Sequence, residues 1–105
     1  MAWVCLFVAA LFEIGWAVGL KYTQGFTRLW PSSLTVAAMA VSLALLAAAV
    51  RTIPVGTGYA VWTGVGAVGT AALGMMLFGE PTTTSRVFFL ALIVGGVLGL
   101  KFTAA

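Results

Sequence analysis

The chain has 105 residues, of which 63% are hydrophobic and 7% charged, with a net charge of +3 and no histidine. A soluble domain carries about 25% charged residues, so this composition cannot clothe a water-facing surface and specifies a membrane protein. Four helical spans of about 20 apolar residues each would use the whole length. The expected fold is therefore an all-α membrane protein with four transmembrane helices per protomer, one domain over residues 1–105, and no room for a soluble catalytic module. The basic residues fringe the apolar runs at headgroup level and form no patch large enough to bind nucleic acid. One cysteine, Cys5, excludes an internal disulfide. Together with the absence of histidine it leaves no ligand set for zinc or iron, and no cofactor is expected.

The first span, residues 2–20, is apolar except for Glu13. It lacks a basic leading region, so it is expected to be a retained span rather than a signal peptide. A turn over TQGFTR follows Lys21-Tyr22 and bends at Gly25. Trp30 stands at an interfacial position, and Pro31 suits the first turn of the next helix. The second span covers residues 32–50, with Thr35 and Ser42 as its mid-span polar groups, and Pro54 marks the next turn. The third covers residues 57–78. Gly79-Glu80-Pro81 forms a turn, Thr82 to Ser85 cap the fourth span, and that span runs over residues 85–100 to Lys101. The apolar runs do not alternate with polar residues, so no barrel is expected.

Four spans place both termini on one side. The first and third turns carry Lys21, Arg28 and Arg86, and the other side carries Arg51, Lys101 and the terminal amine. Orientation follows an excess of Lys and Arg on the cytoplasmic side, and here the excess nearly vanishes. The chain is expected to insert both ways up and to assemble as an antiparallel, dual-topology homodimer. The competing expectation is that turn lengths or lipids fix one orientation.

Glu13 is the residue around which function is expected. A carboxylate deep in the hydrocarbon is expensive and normally faces a bundle interior or a wet cavity. No Lys or Arg lies mid-span to pair with it, so it must be neutral or meet a cation brought from outside. Helical spacing puts Ala9, Glu13, Trp16 and Ala17 on one stripe, and Tyr59, Trp62, Thr63 and Gly66 on one face of the third span. Aromatic faces beside a carboxylate make a cation site, although Tyr59 also suits an interfacial belt. Ser42 is placed to orient Glu13 or donate to it, or else to bond its own helix backbone. Gly64-Val65-Gly66-Ala67-Val68-Gly69 matches a dinucleotide-binding pattern but has no strand before it. Gly64 and Gly66 are read instead as points of helix packing or flexing, as alternating access requires. Gly95, Gly96 and Gly99 supply GxxxG spacing for dimer packing through the fourth span, and Gly15 and Gly19 repeat that spacing more weakly.

Taken together, FEIGWAVGLKYTQGFTR, Ser42 and PVGTGYAVWTGVGAVG resemble the small multidrug resistance family over the whole chain, and within it most resemble the guanidinium-exporting subtype. The resemblance implies an antiparallel homodimer in the bacterial inner membrane that exports guanidinium-type cations in exchange for protons. It implies that Glu13 of both subunits binds proton and substrate in turn, that Trp16 and Ser42 form a hydrogen-bond network around Glu13, and that Tyr59 and Trp62 line the cavity. Burial disfavours the charged form of a carboxylate, so proton and cation compete for one site, and that competition is the coupling. A planar guanidinium donates to carboxylates in a fork. The alternatives are a broader exporter of quaternary ammonium or aromatic cations, and a membrane scaffold without transport. An enzyme is the least expected, for want of a nucleophile–base pair, a metal set or a phosphate loop.

Overall fold

The computed structural model describes residues 1–103. Four helices follow in order: α1 (Ala2–Thr23), α2 (Leu29–Ala49), α3 (Val55–Leu77) and α4 (Thr84–Thr103). At about 1.5 Å rise per residue each is roughly 30–35 Å long, which matches a hydrocarbon core of about 30 Å. All four are long and apolar enough to cross a membrane. The helices overrun several of the expected span ends. α1 continues to Thr23, α4 to Thr103, and α2 starts at Leu29, with Pro31 in its first turn. Lys21 and Lys101 therefore sit in last helical turns, where a cation complements the helix dipole.

The turns have identifiable local causes. Between α1 and α2, Gln24, Gly25 and Phe26 all take positive φ values of 49°, 72° and 65°. This left-handed run costs Gly25 little, whereas the two flanking residues need support. Thr23 supplies it: its hydroxyl donates to the Leu20 carbonyl at 2.8 Å and accepts the Phe26 N–H at 3.2 Å. Before α4, the Thr83 hydroxyl accepts the Arg86 N–H at 3.3 Å, an N-terminal cap within the expected Thr82–Ser85 stretch. In the same turn Arg86 pairs with Glu80 at 2.7 Å, with the two side chains 33% and 40% exposed. At that exposure the pair stabilises by less than about 1 kcal/mol.

The first and third turns lie at one end of the bundle. The Tyr22 and Phe78 rings are 5.6 Å apart, and the Lys21 ammonium lies 5.2 Å over Phe78. At the other end the Lys101 ammonium lies 5.1 Å over the Trp3 ring, so the tail of α4 stands beside the head of α1.

α1 is the hub. It packs chiefly on α2 and then on α3, while α4 reaches the rest through α3. Small residues allow the close approaches. A Cβ at Gly19 would stand 2.5 Å from the Thr35 hydroxyl, one at Gly64 would stand 2.6 Å from Val97 Cγ2, and one at Gly69 would overlap Ile14. The core gathers Leu6, Ala9, Ala10, Ala49, Ile53, Val61, Trp62 and Val97. The protomer measures 43 × 35 × 17 Å. Many large apolar side chains are exposed on its surface. α4 is the extreme case, since Val97 is its buried residue while Phe88, Phe89, Leu92, Val94 and Leu98 are exposed.

Candidate functional site

Glu13 sits midway along α1 and is only 9% exposed. It can lie there because α3 presents no side chain opposite it. A Cβ at Gly66 would overlap the Glu13 carboxylate, so the carboxylate rests on the bare backbone of α3. Together they line an open cleft of about 400 Å³ with Trp16 and Ala17 of α1, Thr63, Ala67, Thr70 and Ala71 of α3, and Glu80 and Arg86 at its far end.

Three polar atoms of this cleft lack partners among the described residues. Glu13 Oε1, Trp16 Nε1 and Thr70 Oγ1 are all buried and make no hydrogen bond among the described residues. A buried, unpaired polar atom costs roughly 1–3 kcal/mol, and three of them line this one cleft. Arg86, the basic residue lining the cleft, is held by Glu80 and leaves Glu13 free. The Glu13 carboxylate, the Trp16 donor and the Thr63 and Thr70 hydroxyls, in a pocket floored by glycine and alanine, can accept a small cation or a proton.

The other expected site residues lie elsewhere in the protomer. Ser42 and Trp62 are buried. The Trp62 indole donates to the Ser42 hydroxyl at 2.9 Å, and that hydroxyl donates to the Ala9 carbonyl at 2.7 Å. A hydroxyl has one hydrogen, and Ser42 spends it on Ala9, one turn before Glu13. The expected Ser42–Glu13 hydrogen bond is therefore not made, and Trp16 likewise makes none to Glu13. Ser42 instead joins α2 and α3 to the backbone of α1. Tyr59 is 58% exposed, with its ring 5.7 Å from that of Trp62. Neither Tyr59 nor Trp62 lines the Glu13 cleft of this protomer. The stripe Ala9–Glu13–Trp16–Ala17 is thus split: Ala9 faces the core, and the other three face the cleft.

Gly64 and Gly66 do not interrupt α3. Each provides close approach, Gly64 to Val97 of α4 and Gly66 to Glu13. A Cβ at Gly95, Gly96 or Gly99 would meet nothing within 4 Å, so these glycines serve no packing purpose inside the protomer. A larger groove of about 680 Å³ runs between α1 and α2, lined by residues such as Leu11, Phe12, Trp30 and Leu34. It holds no carboxylate and is separate from the Glu13 cleft.

Thr70 was not singled out from the sequence. The signal was present: Thr63, Gly66 and Thr70 recur at three- and four-residue spacing, which extends the polar face of α3 one turn past Gly66.

Comparison with known proteins gives a consistent picture. The family model described as Small Multidrug Resistance protein matches residues 1–93. Proteins named guanidinium exporter from Citrobacter freundii and Salmonella typhimurium are each 57% identical over 103 residues, covering 98% of this chain and 98% of their own. One from Proteus vulgaris is 56% identical over 104 residues, covering 99% of this chain and 100% of its own.

Proposed function

The chain belongs to the small multidrug resistance family, and from that premise we propose that it exports guanidinium, and small substituted guanidinium cations, in exchange for protons. It is a multi-pass membrane transporter of the bacterial inner membrane rather than an enzyme. The observation that carries the reading is the unpaired, buried Glu13 carboxylate facing a cleft whose basic residue is already engaged by Glu80.

In this reading Glu13 binds a proton or a cation, never both. Its surroundings are apolar enough that an empty, charged carboxylate is costly. Release of the cargo therefore draws in a proton, and loss of the proton draws in cargo. The guanidinium plane offers N–H groups in pairs, which suits a carboxylate. Within a single protomer the cleft is open on one side. An antiparallel homodimer, packed through the glycine face of α4, would close it and bring two Glu13 carboxylates to one cavity, with Trp16, Ser42, Tyr59 and Trp62 around them. The nearly balanced Lys and Arg content of the two ends supports insertion in both orientations. Flexing at Gly64 and Gly66 would let the cavity open to alternate sides.

The test is guanidinium-driven proton movement in proteoliposomes, with tetrapropylammonium as comparison and Glu13→Gln as control. Glu13→Gln keeps the shape and removes the charge, and is expected to abolish coupled transport. Coupled transport that persists in Glu13→Gln would overturn the mechanism. A full response to tetrapropylammonium would replace the narrow substrate class with a broad one, and a protein silent to both cations would be a scaffold.

A further inference from the structure

Thr70 lies where two cavities meet. It lines the Glu13 cleft and also an adjoining cavity of about 350 Å³ bounded by Lys21, Gly74, Phe78 and Glu80. Its place along α3 is defined by two close contacts. Gly66, one turn before it, touches the Glu13 carboxylate. Gly74, one turn after it, faces the Glu80 carboxylate, which a Cβ there would meet at 2.6 Å. Four residues of helix rise about 6 Å, so Thr70 stands midway between the levels of the buried acid and the acid at the turn.

A threonine in a helix can donate its hydroxyl to the carbonyl three or four residues back. Thr23 does so with Leu20, and Thr103 does so with Gly99. Thr70 does not: its oxygen is buried and without any partner. The oxygen is covered, but the residue is only partly buried and lines the cleft, so a turn about χ1 brings the hydroxyl to a ligand one turn from the buried carboxylate.

The chemistry of the three orphaned atoms divides the work. Guanidinium has only N–H donors. Trp16 Nε1 is also only a donor, so it can serve a carboxylate but not the cation. Thr70 Oγ1 has lone pairs and can accept. We propose that Thr70 is a specificity-determining residue of the cation site, accepting an N–H of the guanidinium cargo that the Glu13 carboxylate does not engage. This rests on the export reading above and deepens it. Thr70 then selects cations that carry N–H groups over quaternary ammonium ions, which have none and gain nothing from the hydroxyl.

The experiment is equilibrium titration of the purified full chain, followed by tryptophan fluorescence, with guanidinium and with tetramethylammonium. Thr70→Val, Thr70→Ala, Thr70→Ser and the wild type are compared. Valine matches the shape of threonine without the hydroxyl, and it removes an unpaired buried polar atom, so folding should not suffer. A hydrogen bond to a charged partner corresponds to roughly a 10- to 150-fold change in affinity. The expected result is that Thr70→Val and Thr70→Ala weaken guanidinium by that factor, leave tetramethylammonium unchanged, and so lower the ratio between the two, while Thr70→Ser keeps it. Equal weakening of both cations would mean a role in cavity shape and would overturn the proposal, as would guanidinium affinity in Thr70→Val within threefold of wild type. A wild-type protein that ignores guanidinium would overturn the export reading, and this inference with it.

Discussion

Gly66→Ala separates the site from the scaffold. The new Cβ would occupy the space of the Glu13 carboxylate, so the two cannot coexist in the present geometry. Alanine in a helix interior is favoured over glycine by about 0.8–1 kcal/mol. Against this stands the cost of moving Glu13. Its side chain has rotatable bonds and an open cleft of about 400 Å³ to turn into, so the cost is nearer one off-rotamer torsion, about 0.5–1.5 kcal/mol, than a crushed core. The two nearly cancel, and the unfolding midpoint should barely move. Binding should not be spared, because the carboxylate has left its seat. Loss of a charged hydrogen bond is worth about 1.5–3 kcal/mol, or roughly a 10- to 150-fold loss of guanidinium affinity. Thermal unfolding and guanidinium titration on the same sample measure both quantities. Gly64→Ala is the companion variant. Its Cβ would meet Val97 Cγ2 at 2.6 Å and Ile93 Cγ2 at 3.4 Å, a contact with α4 remote from Glu13, so it should alter stability and leave affinity alone. If Gly66→Ala binds guanidinium within threefold of wild type, the seating argument is wrong. If Gly64→Ala loses affinity as badly as Gly66→Ala, what the two glycines share is helix flexing rather than close approach.

Two further outcomes follow from the packing. Ser42→Ala strands the Trp62 indole N–H in a buried position, while the Ala9 carbonyl keeps its partner within the helix. Hydrogen bonds between membrane helices average about 0.6 kcal/mol and reach about 1.7, so a loss of about 1 kcal/mol is expected in unfolding measurements, and an unchanged midpoint would remove Ser42 as the pin between α1, α2 and α3. Gly96→Leu adds bulk where the protomer has open space, so the isolated fold should tolerate it, yet cross-linking in liposomes should show the dimer lost. A dimer that survives would place the interface elsewhere.

The readable part of the sequence was the part governed by solvent. Four apolar runs of bilayer length declare four helices, because backbone polar groups have no other partner in hydrocarbon. Glu13 was equally plain, since one acid in an apolar span has no bland explanation. Partner choice was not readable. Ser42, Trp62 and Glu13 are all polar groups near mid-membrane, and which of them bond depends on helix rotation and on which carbonyl comes within 3 Å. The structure turns Ser42 toward the Ala9 carbonyl rather than the Glu13 side chain. Gly66 was noticed, as a point of helix packing or flexing. That its missing side chain makes the seat of the carboxylate depends on α1 and α3 approaching there, and helix spacing along one chain says nothing of that. Thr70 shares a face with Thr63 and Gly66, but that its hydroxyl lacks a partner is set by side-chain rotation, which spacing along the chain does not give.

The shape of the protomer bears on why so short a chain keeps its acid half-enclosed. The mid-span carboxylate has helices on some sides and an open cleft on another. Were Glu13 sealed within a four-helix core, the desolvation cost would stand whether or not cargo came. Were it fully open to lipid, nothing would hold it in place. The observed cleft sits between these limits: α3 supports the carboxylate from behind through Gly66, and the front is left for a second surface. A second copy is suited to supply that surface, because the exposed glycines of α4 offer close contact at no cost to the protomer's own packing. Dimerisation and site completion would then be one event. A variant that weakens the α4 contact, without touching Glu13, Trp16 or Thr70, should lower guanidinium affinity in proportion to the dimer it loses.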